Sequence, residues 1–464
     1  MYNNKYIYFD LSLLIFFFFN FFWIFFDSFE TSFQFVYSFN IFEYSFLFGI
    51  DSISIFFIYL SVLLIPLCLL FSFYNMKQKN KSEIKMYQSF LFLTLFLLVF
   101  VFSSLDILVF YIMFEIILIP FFVLIGISSY RKRRVHASYL FFFYTLVGSF
   151  LMLVAILSLY SFTGTTSVEV LLNNEYSFLR ENIIWFTFFI SFAIKIPMFP
   201  FHIWLPEAHV EAPTEGSVLL AGVLLKLGSY GFLRFLMPLF PNSTYYNSSL
   251  VILISCLGIF YTSFVTLKQI DIKRIIAYSS ISHMNVCVLG LFTFNSVGIA
   301  GSIHLMIAHG LVSGGLFFLI GMLYGRYHTK LLKYYSGLIY TMPLFAFFFF
   351  IYTISNISFP LTSNFIGEYL ILTGLLISFN YYALFFSIIG IFICTIYSLW
   401  LYNKLVFMLP RYQYIKYHND LSLLEVSLLT TLLFFIFWIG IYPYSIFSLL
   451  DLGINYYYFD LLYK

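Results

Sequence analysis

The sequence predicts an all-α, polytopic transmembrane helical protein. The chain of 464 residues is 62% hydrophobic and only 9% charged. Its apolar runs approach or exceed the roughly 17 to 25 residues that cross ~30 Å of hydrocarbon. No long hydrophilic stretch leaves room for a soluble domain, so any soluble partner must be a separate chain.

Hydropathy divides the chain into about thirteen helices. Their predicted bounds are 8–26, 53–75, 87–104, 106–127, 137–160, 183–205, 217–239, 249–267, 274–293, 299–325, 341–376, 383–403 and 421–448. We group them into an N-terminal part (1–86), two blocks of five helices (87–240 and 249–404) and a C-terminal loop and helix (405–464).

Basic residues cluster between the predicted helices. If the chain alternates sides, the clusters all fall on one face of the membrane, which supports the helix count through the positive-inside rule. The clusters are Lys77/Lys79/Lys81/Lys85, Arg131/Lys132/Arg133/Arg134, Lys268/Lys273/Arg274, Arg326/Lys330/Lys333 and Lys404/Arg411/Lys416. The connection 206–215 falls on the same face but carries Glu207, Glu211 and Glu215 without Lys or Arg. It either has a role of its own or is held on that face by its neighbours.

Two of the predicted helices are interrupted. Pro197 and Pro200 follow Lys195, and each removes a backbone donor and clashes with the preceding turn. The polar run 355–360 breaks the eleventh helix before Glu368.

Each five-helix block therefore has a broken fourth helix that carries a charge. Because five is odd, the two blocks have opposite orientations in the membrane. Inverted repeats with discontinuous helices are typical of secondary transporters, which place ion or substrate sites near the membrane midplane. We predict two inverted repeats that form two half-channels, the first of them a proton-translocating half.

Six ionisable side chains stand inside apolar runs. At the bilayer centre an ionisable group costs about 2.5 to 3.5 kcal/mol on insertion scales, so each is a functional candidate. They are Glu115, Lys195, Lys226, His283, His309 and Glu368. Several such groups in one chain indicate a path for charge.

Glu115 has no cation within a helical turn, so its partner must come from another helix, and Lys195 is the obvious choice. At about 5 Å and an effective dielectric near 20, the two charges attract by roughly 3 kcal/mol. Moving or neutralising Glu115 then switches Lys195 between charged and neutral. The alternative is a static buried ion pair.

Lys226 lies about 15 Å along its predicted helix, near mid-bilayer, where small neighbours let other helices approach. His283, His304 and His309 have side chains suited to proton exchange. For His304 and His309, simple hydrogen bonding or packing is the competing interpretation. Glu368 follows a polar break and is placed to accept a proton from the His283 side.

Two further histidines flank the proline-rich turn beside the acidic connection. We expect His202 and His209 near an aqueous surface, either at a proton entrance or capping the turn.

Other chemistries are not indicated. The four cysteines stand singly, and His304 and His309 point about 140° apart on an ideal helix, so we predict no metal site. No phosphate-binding or dinucleotide-binding glycine motif appears, so we predict no cofactor on this chain. The net charge of +3 does not indicate nucleic acid.

Five stretches together carry a family resemblance. They are FYIMFEIILIP, FAIKIPMFPFHIWLPEAHVEAPTEGSVLLAGVLLKLGSYG, DIKRIIAYSSISHMN, IAHGLVSGGLFFLIGMLY and NFIGEYLIL. In this order they resemble the antiporter-like, proton-pumping chain 4 family of respiratory NADH:ubiquinone oxidoreductase, over residues ~100 to 405.

The resemblance implies roles for the same six residues. Glu115 and Lys195 match the glutamate and lysine pair of the family, Lys226 the central lysine, His283 and His309 the relay histidines, and Glu368 the terminal glutamate. His304 falls on a less certain position. In this interpretation we expect the first helix of the family to be absent and its place to be taken by another subunit.

The resemblance also implies the setting. It suggests a multi-pass protein of the mitochondrial inner membrane that contacts lipids and other membrane-arm subunits, including sister antiporter-like subunits. It places NADH, FMN, iron–sulfur clusters and ubiquinone in partner subunits. The alternatives are a cation/proton antiporter subunit and an inert membrane scaffold of a large complex.

Overall fold

A computed structural model describes most of the chain. The described residues are 7–27, 30, 32–41, 44–75, 81–128, 133–409, 419–450 and 453. Several predicted basic residues lie outside them, namely Lys77, Lys79, Arg131, Lys132, Arg411 and Lys416. The prediction that all basic loops share one face stays a prediction.

The described residues are mostly helical. The helices are α1 (Ile7–Phe25), α2 (Ser54–Asn75), α3 (Lys81–Ser103), α4 (Ile107–Ile116), α5 (Leu118–Ser128), α6 (Arg133–Thr163), α7 (Val168–Leu172), α8 (Phe178–Lys195), α9 (Trp204–Glu211), α10 (Thr214–Leu219), α11 (Leu225–Gly231), α12 (Met237–Leu239), α13 (Pro241–Leu267), α14 (Ile272–Leu291), α15 (Ser296–Tyr327), α16 (Leu338–Thr341), α17 (Pro343–Asn356), α18 (Ser363–Ile377), α19 (Tyr381–Val406) and α20 (Leu423–Ile441). Two π-helical turns, Leu220–Leu224 and Phe232–Leu236, join α10, α11 and α12.

The predicted fold class, a polytopic helical membrane protein, is confirmed. Every predicted apolar segment contains at least one helix. Within the described ranges, 10 helices are long and apolar enough to cross a membrane, and α17 and α18 are shorter apolar helices. The count of about thirteen spans, the inverted repeats and the four-part division remain predictions.

The all-α description misses one hairpin. β1 (Gln34–Ile41) pairs antiparallel with β2 (Tyr44–Ile50) in a two-stranded sheet. Both strands are rich in Phe, Tyr, Val and Ile, which favour extended backbone. Their apolar run is too short to span a membrane, so hydropathy gave no element there.

The predicted helix 106–127 is interrupted beside Glu115. It forms α4 and α5, which meet at Ile117. Pro120 lacks an N–H and cannot donate to the carbonyl of Ile116, four residues earlier. The sequence analysis overlooked this break because Pro120 lies inside an otherwise continuous apolar run.

The two predicted interruptions are present. α8 ends at Lys195, and the indole N–H of Trp204 donates to the carbonyl of Ile194 at 2.9 Å. The amide of Met198 donates to the carbonyl of Ala193 at 2.9 Å. These bonds satisfy backbone acceptors that the end of the helix leaves open. α17 ends at Asn356, and α18 begins at Ser363.

The chain forms two compact units. The first unit comprises Met1–Trp204, Val223–Val251 and Phe447–Lys464, and the second comprises Leu205–Gly222 and Ile252–Ile446. In the first unit α8 packs against α6 and α11. A Cβ atom at Gly228 of α11 would lie 2.9 Å from the carbonyl oxygen of Phe192, so glycine is required for this close crossing.

In the second unit α15 is the central helix. Its membrane-length window is completely buried, and α14, α17, α18 and α20 pack around it. The crossing of α15 with α18 is close, because a Cβ atom at Gly367 would lie 2.9 Å from the backbone nitrogen of Leu305. This contact fixes the position of the neighbouring residue, Glu368.

Candidate functional site

The first unit holds a buried lysine without a hydrogen-bond acceptor. Lys195 is 3% exposed at the end of α8. Its Nζ atom lies 4.1 Å from the centroid of the Phe114 ring and has no hydrogen-bond partner among the described residues. The ring face stabilises the cation through its quadrupole, but it accepts no conventional hydrogen bond.

Glu115 lies on α4, next to Phe114. Its carboxylate and the Lys195 ammonium interact electrostatically, although no oxygen–nitrogen contact within 4.0 Å joins these two described residues. The Oε1 atom of Glu115 is buried and has no hydrogen-bond partner in the described part of the chain. The predicted pair is therefore close enough to interact without forming a direct ion pair.

Lys226 lies on α11 and is completely buried. The π-helical turn Leu220–Leu224 ends directly before α11, which begins at Leu225. The helix is therefore irregular next to this lysine. Such π-helical turns occur frequently at functional sites. Gly228, two residues later, makes the close crossing with α8.

The sequence analysis missed one buried ion pair in the first unit. The guanidinium of Arg234 donates to the Asp51 carboxylate at 2.8 Å, and both side chains are buried. Asp51 also accepts a bond from the amide of Ser54 at 2.9 Å, which caps the start of α2. Arg234 stands in the same apolar run as Lys226, so the rule that singled out Lys226 would have found it.

The second unit brings His283 and Glu368 together. The His283 Nδ1 atom lies 3.1 Å from the Glu368 Oε1 atom, and both side chains are 5% exposed. The rings of His283 and His309 have centroids 5.7 Å apart. Three of the predicted residues, on α14, α15 and α18, thus form one buried cluster.

Two members of this cluster escaped the sequence analysis. Cys394 on α19 places its Sγ atom 3.8 Å from the His283 Nε2 atom, and the Tyr397 hydroxyl donates to that sulfur at 2.9 Å. The cysteines were discounted because they stand singly in the sequence. No sequence pattern indicates a contact between residues 111 positions apart.

His304 is completely buried on α15, five residues before His309. Its role stays a prediction.

The expectation that His202 and His209 lie near an aqueous surface stays a prediction. Both are buried in the protein. The His209 ring stacks on the Phe317 ring with centroids 4.7 Å apart and planes 8° apart.

Cations from other segments contact the acidic connection. Arg274 donates to the Glu207 carboxylate at 2.6 Å, and Lys273 donates to the carbonyl of Ala212 at 3.0 Å. Lys330 donates to the carbonyl of Val210. The connection lacks basic residues of its own because two predicted basic clusters supply them.

Comparison with known proteins defines the class first. Residues 104–394 match the model of the NADH:quinone oxidoreductase/Mrp antiporter transmembrane family. Residues 5–104 match the model of the amino terminus of NADH-ubiquinone oxidoreductase chain 4. These matches place the chain in a class of antiporter-like membrane proteins.

Individual relatives narrow the class. The chain is 47% identical to NADH-ubiquinone oxidoreductase chain 4 of Marchantia polymorpha, over 93% of this chain and 87% of the relative. It is 48% identical to the chain 4 of Acanthamoeba castellanii, over 87% and 82%. A chain of respiratory complex I from Thermus thermophilus superposes with a TM-score of 0.90 and 26% identity, covering 99% of this chain and 96% of that one. The protein belongs to the NADH-ubiquinone oxidoreductase chain 4 family.

Proposed function

We propose that this chain is a core membrane-arm subunit of mitochondrial NADH:ubiquinone oxidoreductase and carries protons across the inner membrane. NADH, FMN, iron–sulfur clusters and ubiquinone are bound by partner subunits, where the redox reaction occurs. This chain contributes proton transfer and no redox step. The relatives support membership of such a complex, because they carry the name of its chain 4.

The observation that carries the proposal is the buried contact between His283 and Glu368. Two groups that exchange protons readily lie 3.1 Å apart inside an apolar helix cluster, with the His309 ring beside them. An imidazole and a carboxylate at this distance pass a proton directly. A protein that needed only packing at this position would use apolar residues, because buried ionisable groups are costly.

In this mechanism the first unit responds to the redox step. A change at Glu115 alters the stabilisation of the Lys195 charge, which no hydrogen bond from the described residues holds in place. Lys195 then switches between charged and neutral, and Lys226 loads or releases a proton in response. Because linkage is reciprocal, a proton load on Lys226 also resists the redox step.

The second unit transmits the proton. His283 and His309 receive it, and Glu368 accepts it from the Nδ1 side of His283 and releases it toward the intermembrane space. The predicted order is therefore Glu115 and Lys195, then Lys226, then the histidines, then Glu368.

Lys226→Met in the assembled complex tests the proposal. The complex is reconstituted in sealed vesicles, and NADH-driven proton uptake and NADH oxidation are measured together. Loss of a proton-transfer group lowers rates by typically 100-fold or more, so we expect a severe loss of pumping with normal assembly. Lys333→Met, at an exposed lysine, is the matched control.

If the chain is only an inert scaffold, Lys226→Met leaves turnover and pumping intact. That result would overturn the proposal. The same vesicles prepared without sodium separate a proton pump from an obligatory sodium antiporter. We expect undiminished proton uptake without sodium.

A further inference from the structure

Cys394 touches the side of His283 that faces away from Glu368. Its Sγ atom lies 3.8 Å from His283 Nε2, while His283 Nδ1 faces Glu368. The same sulfur lies 3.8 Å from the carbonyl oxygen of Asn356, within reach of the thiol hydrogen. The Tyr397 hydroxyl donates to the sulfur at 2.9 Å. All these groups belong to the second unit and are buried.

We propose that Cys394 is a positioning residue that keeps His283 hydrogen-bonded in both of its protonation states. The inference rests on the proposed function, in which His283 alternates between the neutral and the protonated ring. This role of the Cys394 thiol, with Tyr397 as its support, follows neither from the buried charges nor from the family membership.

In the neutral state the Nδ1–H of His283 donates to the Glu368 carboxylate. The Nε2 atom then carries a lone pair and accepts the hydrogen of the Cys394 thiol. In the protonated state Nε2 carries a hydrogen and needs an acceptor. The sulfur accepts it, and the thiol hydrogen turns to the carbonyl of Asn356. After Glu368 takes the Nδ1 proton, the neutral ring keeps its hydrogen on Nε2, and the sulfur still accepts it.

The thiol keeps its own proton throughout. Rotation about the Cβ–Sγ bond exchanges one acceptor for the other, so no proton leaves Cys394 and none is gained. The Tyr397 hydroxyl donates to the sulfur in both states and holds it in place. Without this partner, the buried Nε2–H of protonated His283 would be left unsatisfied, which costs free energy.

Other titratable groups also face His283. In the described part of the second unit they are Glu368 on α18, His309 on α15, and Cys394 with Tyr397 on α19. Removing Cys394 leaves Glu368, His309 and Tyr397 in place, so a change in pH dependence reports the lost thiol contact.

The test compares Cys394→Ala, Cys394→Ser and Cys287→Ala in the assembled complex. Cys287 is a buried cysteine on α14, the helix that carries His283, and it serves as the packing control. The readouts are the rate of proton pumping, measured beside NADH oxidation, and the pH dependence of that rate. Tyr397→Phe tests the support of the sulfur separately.

We expect Cys394→Ala to slow pumping by about fivefold to tenfold and to move the alkaline limit of pumping to lower pH. Cys394→Ser, which retains a donor and an acceptor, should recover most of the activity, and Cys287→Ala should match the unmodified complex. Normal pumping and an unchanged pH profile in Cys394→Ala would overturn the inference. Equal losses in the alanine and serine variants would also overturn it, because they would indicate packing alone.

If the Cys394→Ala complex does not assemble, the same readouts in the Tyr397→Phe and Cys394→Ser complexes test the inference. A shifted pH profile in Tyr397→Phe supports the inference, and unchanged profiles in both contradict it.

Lys226→Met distinguishes the two proposals. Normal pumping in that variant refutes the proposed function itself, whereas lost pumping there with normal Cys394→Ala refutes the thiol inference alone.

Discussion

Lys195 in the first unit and His283 in the second unit are held in opposite ways. In the first unit Lys195 has an aromatic ring 4.1 Å away and no hydrogen-bond acceptor among the described residues. In the second unit His283 has a carboxylate 3.1 Å from one ring nitrogen and a thiol 3.8 Å from the other. A buried group without hydrogen bonds responds strongly to a nearby charge, whereas a hydrogen-bonded group is held in one position.

The difference assigns different tasks to the two units. The Lys195 charge depends on Glu115, so this pair is suited to respond to a distant event. The His283 cluster has defined partners on both ring nitrogens, so it is suited to pass protons along a fixed line. Substitutions at the two sites test this difference between Lys195 and His283.

Lys195→Met should have the largest effect. It removes the responsive cation but keeps an apolar side chain of similar length over the Phe114 ring. We expect redox-linked proton uptake to fall on the order of 100-fold, because Glu115 then has no charge to switch. Vesicle proton uptake is measured beside NADH oxidation. Pumping equal to that of Lys333→Met would show that Lys195 is a static element.

Glu368→Gln should have a smaller effect. The amide preserves the size of the side chain and can still contact His283, but it cannot take up a proton. We expect pumping to fall about tenfold, and the complex to assemble normally because the hydrogen bond to His283 survives in weaker form. A normal ratio of protons to electrons would mean that Glu368 is not on the path.

Gly228→Ala tests the crossing that sets α11 against α8 near Lys195. The added methyl group would lie 2.6 Å from Ile196 Cγ1 and 2.9 Å from the Phe192 carbonyl oxygen. Overpacking of this kind costs about 1 to 3 kcal/mol. The thermal stability of the assembled complex should fall accordingly. Gly126→Ala, where no atom lies within 4 Å of the added group, is the matched control and should be neutral or slightly stabilising.

Phe114→Leu should have the smallest effect. It removes the ring beneath Lys195 but keeps the site apolar. A cation–π contact is worth about 0.5 to 2 kcal/mol, so we expect pumping to change by roughly fivefold. A loss as severe as that of Lys195→Met would indicate that Phe114 contributes more than cation stabilisation.

The sequence predicted the helices well because span length and apolar composition are local properties. It also singled out His283, Glu368, Glu115 and Lys195, since a charge in an apolar run is conspicuous wherever its partner lies. It did not predict β1 and β2, because their aromatic side chains have the same hydropathy in a strand as in a helix.

The contacts of these groups could not be predicted in the same way. Cys394 acquires its role from His283, 111 residues away in the chain. The stacking of His209 on Phe317 likewise joins residues far apart in the chain. Local composition does not encode such long-range packing.

A double variant tests most directly whether the two units act on one proton path. The ratio of protons to electrons is measured for Lys195→Met, for His283→Gln and for both together, in the same vesicle preparation. If the two residues serve one path, the double variant pumps as much as the single variant that pumps less. The second change then blocks a path that is already closed. Multiplied losses, or normal pumping in either single variant, would contradict the account.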